Sequence, residues 1–233
     1  MKIITFSYDD GVKQDARLVE ILNKYGLKAT FNINSELLGT KHKLNIIDKN
    51  GEKICHDKLT VEEAVRIYSG HEVAVHTLTH PHLTYLPEEE IVRQVEKDRE
   101  NLSKMFGYEV MGMAYPGGGY QNSDRVEEVV KNHTGVKYAR TISLGYSFKP
   151  QENLYRYKPT AFHLDFDNNY RIADEFFASD QGGVFYIWGH SYEFDINDTW
   201  AEFEKFCAYI SNREGIIYAN NTDAFFKYNQ GAE

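Results

Sequence analysis

The chain has 233 residues and a formal net charge of -9, with 26 Lys and Arg against 35 Asp and Glu. That balance argues against a nucleic-acid or anionic-membrane surface, because both depend on basic side chains that neutralise phosphate; a neutral or cationic ligand is easier to accommodate. Cys55 and Cys207 lie far apart, which excludes a disulfide scaffold and a cysteine zinc cluster and predicts two free thiols.

The length suits one large α/β domain spanning the whole chain, with a sizeable core. The 17 tyrosines and 14 phenylalanines suit a sugar cleft, and they also suit simple packing. Met1 to Phe6 runs straight into a strand, without the apolar segment and small-residue cleavage site of a secretory signal. Taken as the natural start, it predicts a cytoplasmic protein, and no stretch is apolar for long enough to span a bilayer.

Ile3 to Ser7 reads as a first strand ending at Asp9-Asp10, with Gly11 permitting a tight exit into a helix from about Gln14 to Tyr25. Leu18, Ile21 and Leu22 give that helix an apolar face, and Gly26 stands where its C-terminal cap belongs. Lys28 to Ile33 is a second strand, completing a β-α-β unit. Residues 34–58 lack a period and read as an insertion over one rim, with minor strands at Leu44 to Ile47 and Lys53 to Cys55. Thr60 with Glu63 forms a capping-box pattern for the next helix, which Gly70 ends.

Val73 to Val75 is β-branched and apolar, as in a strand buried on both faces, and it leads into His76-Thr77-Leu78-Thr79-His80. A helical turn beginning at Thr77 would place both imidazoles on one side, within reach of one cation. A long helix follows from Glu88 to Phe106, then a strand from Val110 to Tyr115 stopped by Pro116-Gly117-Gly118-Gly119. The pattern continues with a helix at Asp124 to Asn132 and a strand at Val136 to Thr141. Beyond a Tyr-rich connection come a short strand within Thr160 to Leu164 and a helix near Tyr170 to Ser179. Val184 to Trp188 is a strand ending at Gly189-His190; a helix from about Asp198 to Ser211, a strand at Ile216 to Ala219 and a short terminal helix close the chain. About seven βα units in this order predict a distorted (β/α) barrel with about seven parallel strands.

In such a barrel, functional groups gather at the carboxyl ends of the strands. Here those ends carry Asp9-Asp10, His76 with His80, Tyr115-Pro116-Gly117, Arg140 and His190. Adjacent acids after an apolar strand are costly unless a cation or hydrogen bonds compensate them. Two imidazoles and a carboxylate suit a divalent metal, which points to a hydrolytic metal centre.

The chain resembles the polysaccharide deacetylase family, also called carbohydrate esterase family 4, over nearly its whole length. Phe6-Ser7-Tyr8-Asp9-Asp10-Gly11 is similar to the family's first motif and His76-Thr77-Leu78-Thr79-His80 to its histidine motif. The resemblance implies that Asp10, His76 and His80 hold the metal, with zinc the first choice and cobalt, nickel or iron(II) alternatives. It implies that Asp9 is the catalytic base and that His190, in Trp188-Gly189-His190, donates a proton to the leaving amine. Trp188, Tyr115, Pro116 and Gly117 are then expected around the substrate, Trp188 against the acetyl methyl group and the Gly117 main-chain N–H at the oxyanion. Where the family carries an arginine two residues before the proline, this chain has Ala114, and Arg140 at the end of the next strand is the expected replacement. The family's aspartate-rich fourth motif has no clear counterpart; Tyr146 and Phe162 to Asp165 are the candidate contacts, and His82 is expected near the site without being a ligand.

The expected activity is metal-dependent removal of acetyl from an N-acetylated sugar or glycan fragment. O-acetyl ester cleavage, hydrolysis of another non-peptide carbon-nitrogen bond, and a catalytically impaired sugar-binding relative remain open as alternatives. The expected partner is the acetylated saccharide alone, and the sequence carries no indication of oligomeric state.

Overall fold

A computed structural model describes residues 1–118 and 122–229, so that Gly119 of the expected glycine stop lies outside the described residues. In chain order the sheet strands are β1 (Lys2–Asp9), β2 (Ala29–Ile33), β5 (Glu72–Val75), β6 (Gly112–Ala114), β7 (Tyr138–Arg140), β8 (Ala161–Phe162), β9 (Gly183–Gly189) and β10 (Ile216–Tyr218), while β3 (Lys43–Ile47) and β4 (Lys53–Cys55) form a separate hairpin. The helices are α1 (Asp15–Lys24), α2 (Val61–Ile67), α3 (Glu88–Phe106), α4 (Asp124–His133), α5 (Phe166–Ala178), α6 (Glu193–Asn197), α7 (Trp200–Ile210) and α8 (Asn221–Asn229).

The path β7-β6-β5-β2-β1-β9-β8 is parallel throughout, and β10 adds to the lower half of β1, where Lys2 pairs with Ile216 and Ile4 with Tyr218. The sheet curls until its ends meet: Tyr157 bridges Arg140 on β7, and a few residues later the same segment enters β8 beside β9. This is the expected distorted barrel. The expected insertion is the β3–β4 hairpin with its flanking loops, and the capping box of Thr60 and Glu63 is formed.

Alternation along β1 sets the layers. Ile4, Phe6 and Tyr8 pack outward against helix residues such as Leu18 and Phe203, burying the large apolar cluster. Ile3, Thr5, Ser7 and Asp9 take the opposite face, inside the barrel. Ile3 joins Tyr138, Tyr186, Ala224 and Phe225 in a second cluster, in which α8 closes the lower end. Among the described residues no helix is long and apolar enough to cross a membrane.

The expected helical turn after β5 is not formed. Thr77 and His80 adopt positive φ values of 69 and 58° and the segment bends instead. The Thr77 hydroxyl accepts the His80 main-chain N–H at 3.1 Å, and Gln94 on α3 accepts from Thr79. These side-chain acceptors satisfy a backbone that has left the helical ladder.

Candidate active site

The upper rim opens into a cavity of about 720 Å³ lined by Asp9, Asp10, His76, His80, Tyr115, Gly117, Trp188 and His190, with a further wall from Lys41, His42, His56 and Lys58 of the insertion. Every strand end singled out from the sequence contributes except that of β7, whose Arg140 is buried behind Asp9 and does not line the cavity. Pro116 is buried and does not line the cavity, Tyr146 is exposed away from it, and His82 lies outside it against Tyr85.

Asp9 ends β1, 2% exposed, and Arg140 ends β7, 1% exposed. One guanidinium nitrogen of Arg140 reaches both carboxylate oxygens of Asp9, at 2.5 Å to Oδ1, and Asn32 Nδ2 donates to the same Oδ1 at 2.8 Å. Burial is the largest influence on Asp9 and would raise its pKa, but the charge and hydrogen bond of Arg140, together with His76 and His190, hold the carboxyl below its usual range. The guanidinium also lies 4.7 Å from the centre of the Trp188 ring. Ala114 and Arg140 are paired across β6 and β7, so the arginine stands one strand away from the position where the family pattern places it.

Asp10, His76 and His80 present ligand atoms that all lie within 4.8 Å of one another. His76 donates from Nδ1 to the Ala114 carbonyl at 2.8 Å, which leaves Nε2 unprotonated and free to ligate. Burial lowers the pKa of both imidazoles, that of His76 to about 4, so both are neutral near pH 7 and able to bind a cation. Burial opposes the charge on Asp10, yet contacts with His56 and Lys58 hold its pKa well below the ordinary value. Lys58 Nζ is 3.3 Å from Oδ1 and donates to the Asp10 main-chain carbonyl at 2.7 Å; His56 Nε2 is 3.5 Å from Oδ2. The donor set, an ionised carboxylate with two neutral imidazoles, fits a divalent metal.

His190 faces Asp9 through Nε2 at 3.9 Å and Glu193 through Nδ1 at 3.1 Å. Glu193, at the start of α6, was missed in the sequence. Its Oε2 also accepts the His190 main-chain N–H at 3.1 Å and lies 2.8 Å from His163 Nε2. Burial alone would lower the His190 pKa, but the Glu193 contact and the charges of Asp9 and Asp10 raise it to about 9. Hydrogen bonds from His163 and His190, with their charges, draw Glu193 down to about 2 against its own burial. His163, an expected substrate contact, is 1% exposed and packs behind Glu193 instead. The acid three residues after His190 was the available signal, although that spacing alone does not establish pairing.

Residues 1–139 match the polysaccharide deacetylase family. The chain belongs to this family. Its membership supports a hydrolase of the deacetylase class. Similar solved structures include the Xyl-CE4 domain of a multidomain xylanase from the hindgut metagenome of Trinervitermes trinervoides (17% identity, TM-score 0.62, 98% of this chain and 91% of that one). The peptidoglycan deacetylase PdaC of Bacillus subtilis matches at 20% identity and TM-score 0.57 over 99% and 93% of the two chains. BA3943 of Bacillus anthracis, described as a family 4 pseudoenzyme, matches at 17% identity and TM-score 0.59 over 97% of this chain and 66% of its own. At these identities the likeness supports the fold. No curated protein matches the chain.

Proposed function

We propose that this deacetylase-family chain is a metal-dependent hydrolase removing acetyl from an N-acetylated sugar or glycan fragment. The observation carrying the proposal is the convergence of an Arg140-bound Asp9 and a Glu193-bound His190 beside the Asp10, His76 and His80 donor set. These three residues would hold the cation, which when bound polarises the acyl carbonyl and acidifies water; zinc suits one oxygen and two nitrogen donors best. Asp9, kept ionised by Arg140, takes the proton of the attacking water. His190, kept protonated by Glu193, gives a proton to the leaving nitrogen. Gly117, at the cavity rim with φ 76°, would offer its main-chain N–H to the developing oxyanion, and Trp188 borders the space for the acetyl methyl group. The same site chemistry extends to O-acetyl esters.

The impaired-relative reading rested on Ala114; the contact of Arg140 with Asp9 supports the catalytic reading over it. Acetate release from chitin oligomers, acetylated xylan and small N-acetyl sugars tests the proposal, with and without chelator. Release is expected from N-acetyl substrates, abolished by chelator and by Asp9→Asn, and restored by added zinc. Saccharide binding without turnover in the metal-loaded protein would overturn it.

A further inference from the structure

The polar face of β1 continues below the site. Thr5, Ser7, Asn32, Arg140, Tyr186 and Asn221 are each at most 1% exposed, and they stack as one polar column inside the barrel. At its top, the two donors to Asp9 Oδ1, Arg140 and Asn32, share a second acceptor. Arg140 Nε donates to Ser7 Oγ at 3.2 Å, and Asn32 Nδ2 donates to it at 2.8 Å. These bonds occupy both lone pairs of the Ser7 oxygen, so its proton is directed elsewhere, and the phenol of Tyr186, the residue paired with Thr5 across β1 and β9, is its neighbour below on the same barrel face. Asn221 Nδ2 donates to that phenol at 2.7 Å, while Asn221 Oδ1 accepts from Thr5 Oγ1 at 2.8 Å. The Asn221 main-chain N–H meets Thr30 Oγ1 at 2.9 Å, and Thr30 donates to the buried carboxylate of Glu72 at 2.7 Å.

We propose that Ser7, backed by Tyr186 and by Asn221 at the start of α8, is a positioning residue that fixes the Arg140 and Asn32 donors on Asp9. The proposal rests on Asp9 being the general base. Thr5 lies four residues before Asp9, about 13 Å lower at roughly 3.3 Å per residue, so the terminal helix acts on the site from the opposite end of the barrel. Arg140 has been displaced by one strand from the position of Ala114 and reaches Asp9 across the barrel interior. Without an acceptor at Nε, its fork is free to rotate away from the carboxylate.

The test is a double-variant cycle on the metal-loaded enzyme, following kcat and KM for acetate release from an N-acetylglucosamine oligomer together with Tm. Ser7→Ala is expected to lower kcat about tenfold or more with KM within about twofold, and Tyr186→Phe to lower it about threefold. If both act through one column, the double variant is no slower than Ser7→Ala. Ser7→Thr, which keeps the hydroxyl, should recover most of the rate. Tyr186→Phe removes a single oxygen and decides the question alone if Ser7→Ala does not fold. Losses in kcat that multiply, or rates within about twofold of the parent while Asp9→Asn is inactive, overturn the column. An active Asp9→Asn enzyme removes the base assignment beneath it.

Discussion

Glu193→Gln isolates the largest influence that keeps His190 protonated. The His190 pKa of about 9 stands about 2.5 pH units above the ordinary imidazole value of 6.5, or about 3 kcal/mol in favour of the imidazolium. The amide keeps the shape of the side chain and can still accept from both imidazoles, but it carries no charge. Asp9 and Asp10 remain, so the alkaline limb of kcat/KM should fall from near 9 toward 6.5 without necessarily reaching it. At the full shift, the protonated fraction at pH 8 drops from roughly nine tenths to about 3%, a loss of about thirtyfold. Acetate release measured from pH 6 to 10 reads this directly. The sign for stability follows from the same values. The His190 contribution is complete below the ordinary imidazole pKa and is lost as pH rises through about 9. The Glu193 contribution is present above its ordinary value and is lost as pH falls through about 2. An alkaline limb that stays in place while the rate falls uniformly would refute the pairing as the source of the proton.

Arg140→Met strands the buried Asp9 charge; about 3–5 kcal/mol of stability and at least about a hundredfold in kcat should be lost, with Arg140→Lys recovering only part because it lacks the fork. An undiminished rate would remove the replacement role. Asp98 accepts the Ser35 N–H at 2.8 Å and the His76 N–H at 3.1 Å. Asp98→Ala should therefore weaken metal affinity by about 10–100-fold, measured by competition with a chelating dye; unchanged affinity would deny it a role in orienting His76. A Cβ at Gly189 would lie 2.2 Å from His163 Cδ2, on a ring pinned by Glu193. Gly189→Ala should cost about 1–3 kcal/mol or more through overpacking, seen as a lowered Tm, and an unchanged melt would contradict the packing.

The barrel was legible because its signals are local. Val73–Val75 is a fully buried parallel strand, and the polar residue after each apolar run falls on the rim that carries the cavity. Helix ends were legible where capping chemistry is explicit, as at Thr60 with Glu63. The pairing of His76 with His80 was read correctly, but through the wrong backbone. Spacing of four suggested a helix, whereas positive φ at Thr77 and His80 turns both rings inward, with centroids 4.9 Å apart. Glu193, His56 and Lys58 were not legible because their meaning depends on partners distant in sequence: Glu193 needs His163, and the other two need Asp10. Aperiodic sequence hid the insertion's contribution to the cavity.

The adjacent acids of β1 are compensated separately, and this determines how the site can be built. Asp9 points into the barrel, where Arg140 and Asn32 hold it; Asp10 leaves the strand at φ 85° and turns toward His80, His56 and Lys58. Two carboxylates crowded onto one cation would disfavour ionisation of one of them. Separate cations keep both ionised, the state required for a base and a ligand to coexist side by side. The alanine at position 114 is compatible with that arrangement because its strand partner, Arg140, occupies the barrel interior, and Ser7 gives the displaced guanidinium a fixed acceptor. Departure from the family pattern at one position is thus tied to the polar filling of the barrel beneath it.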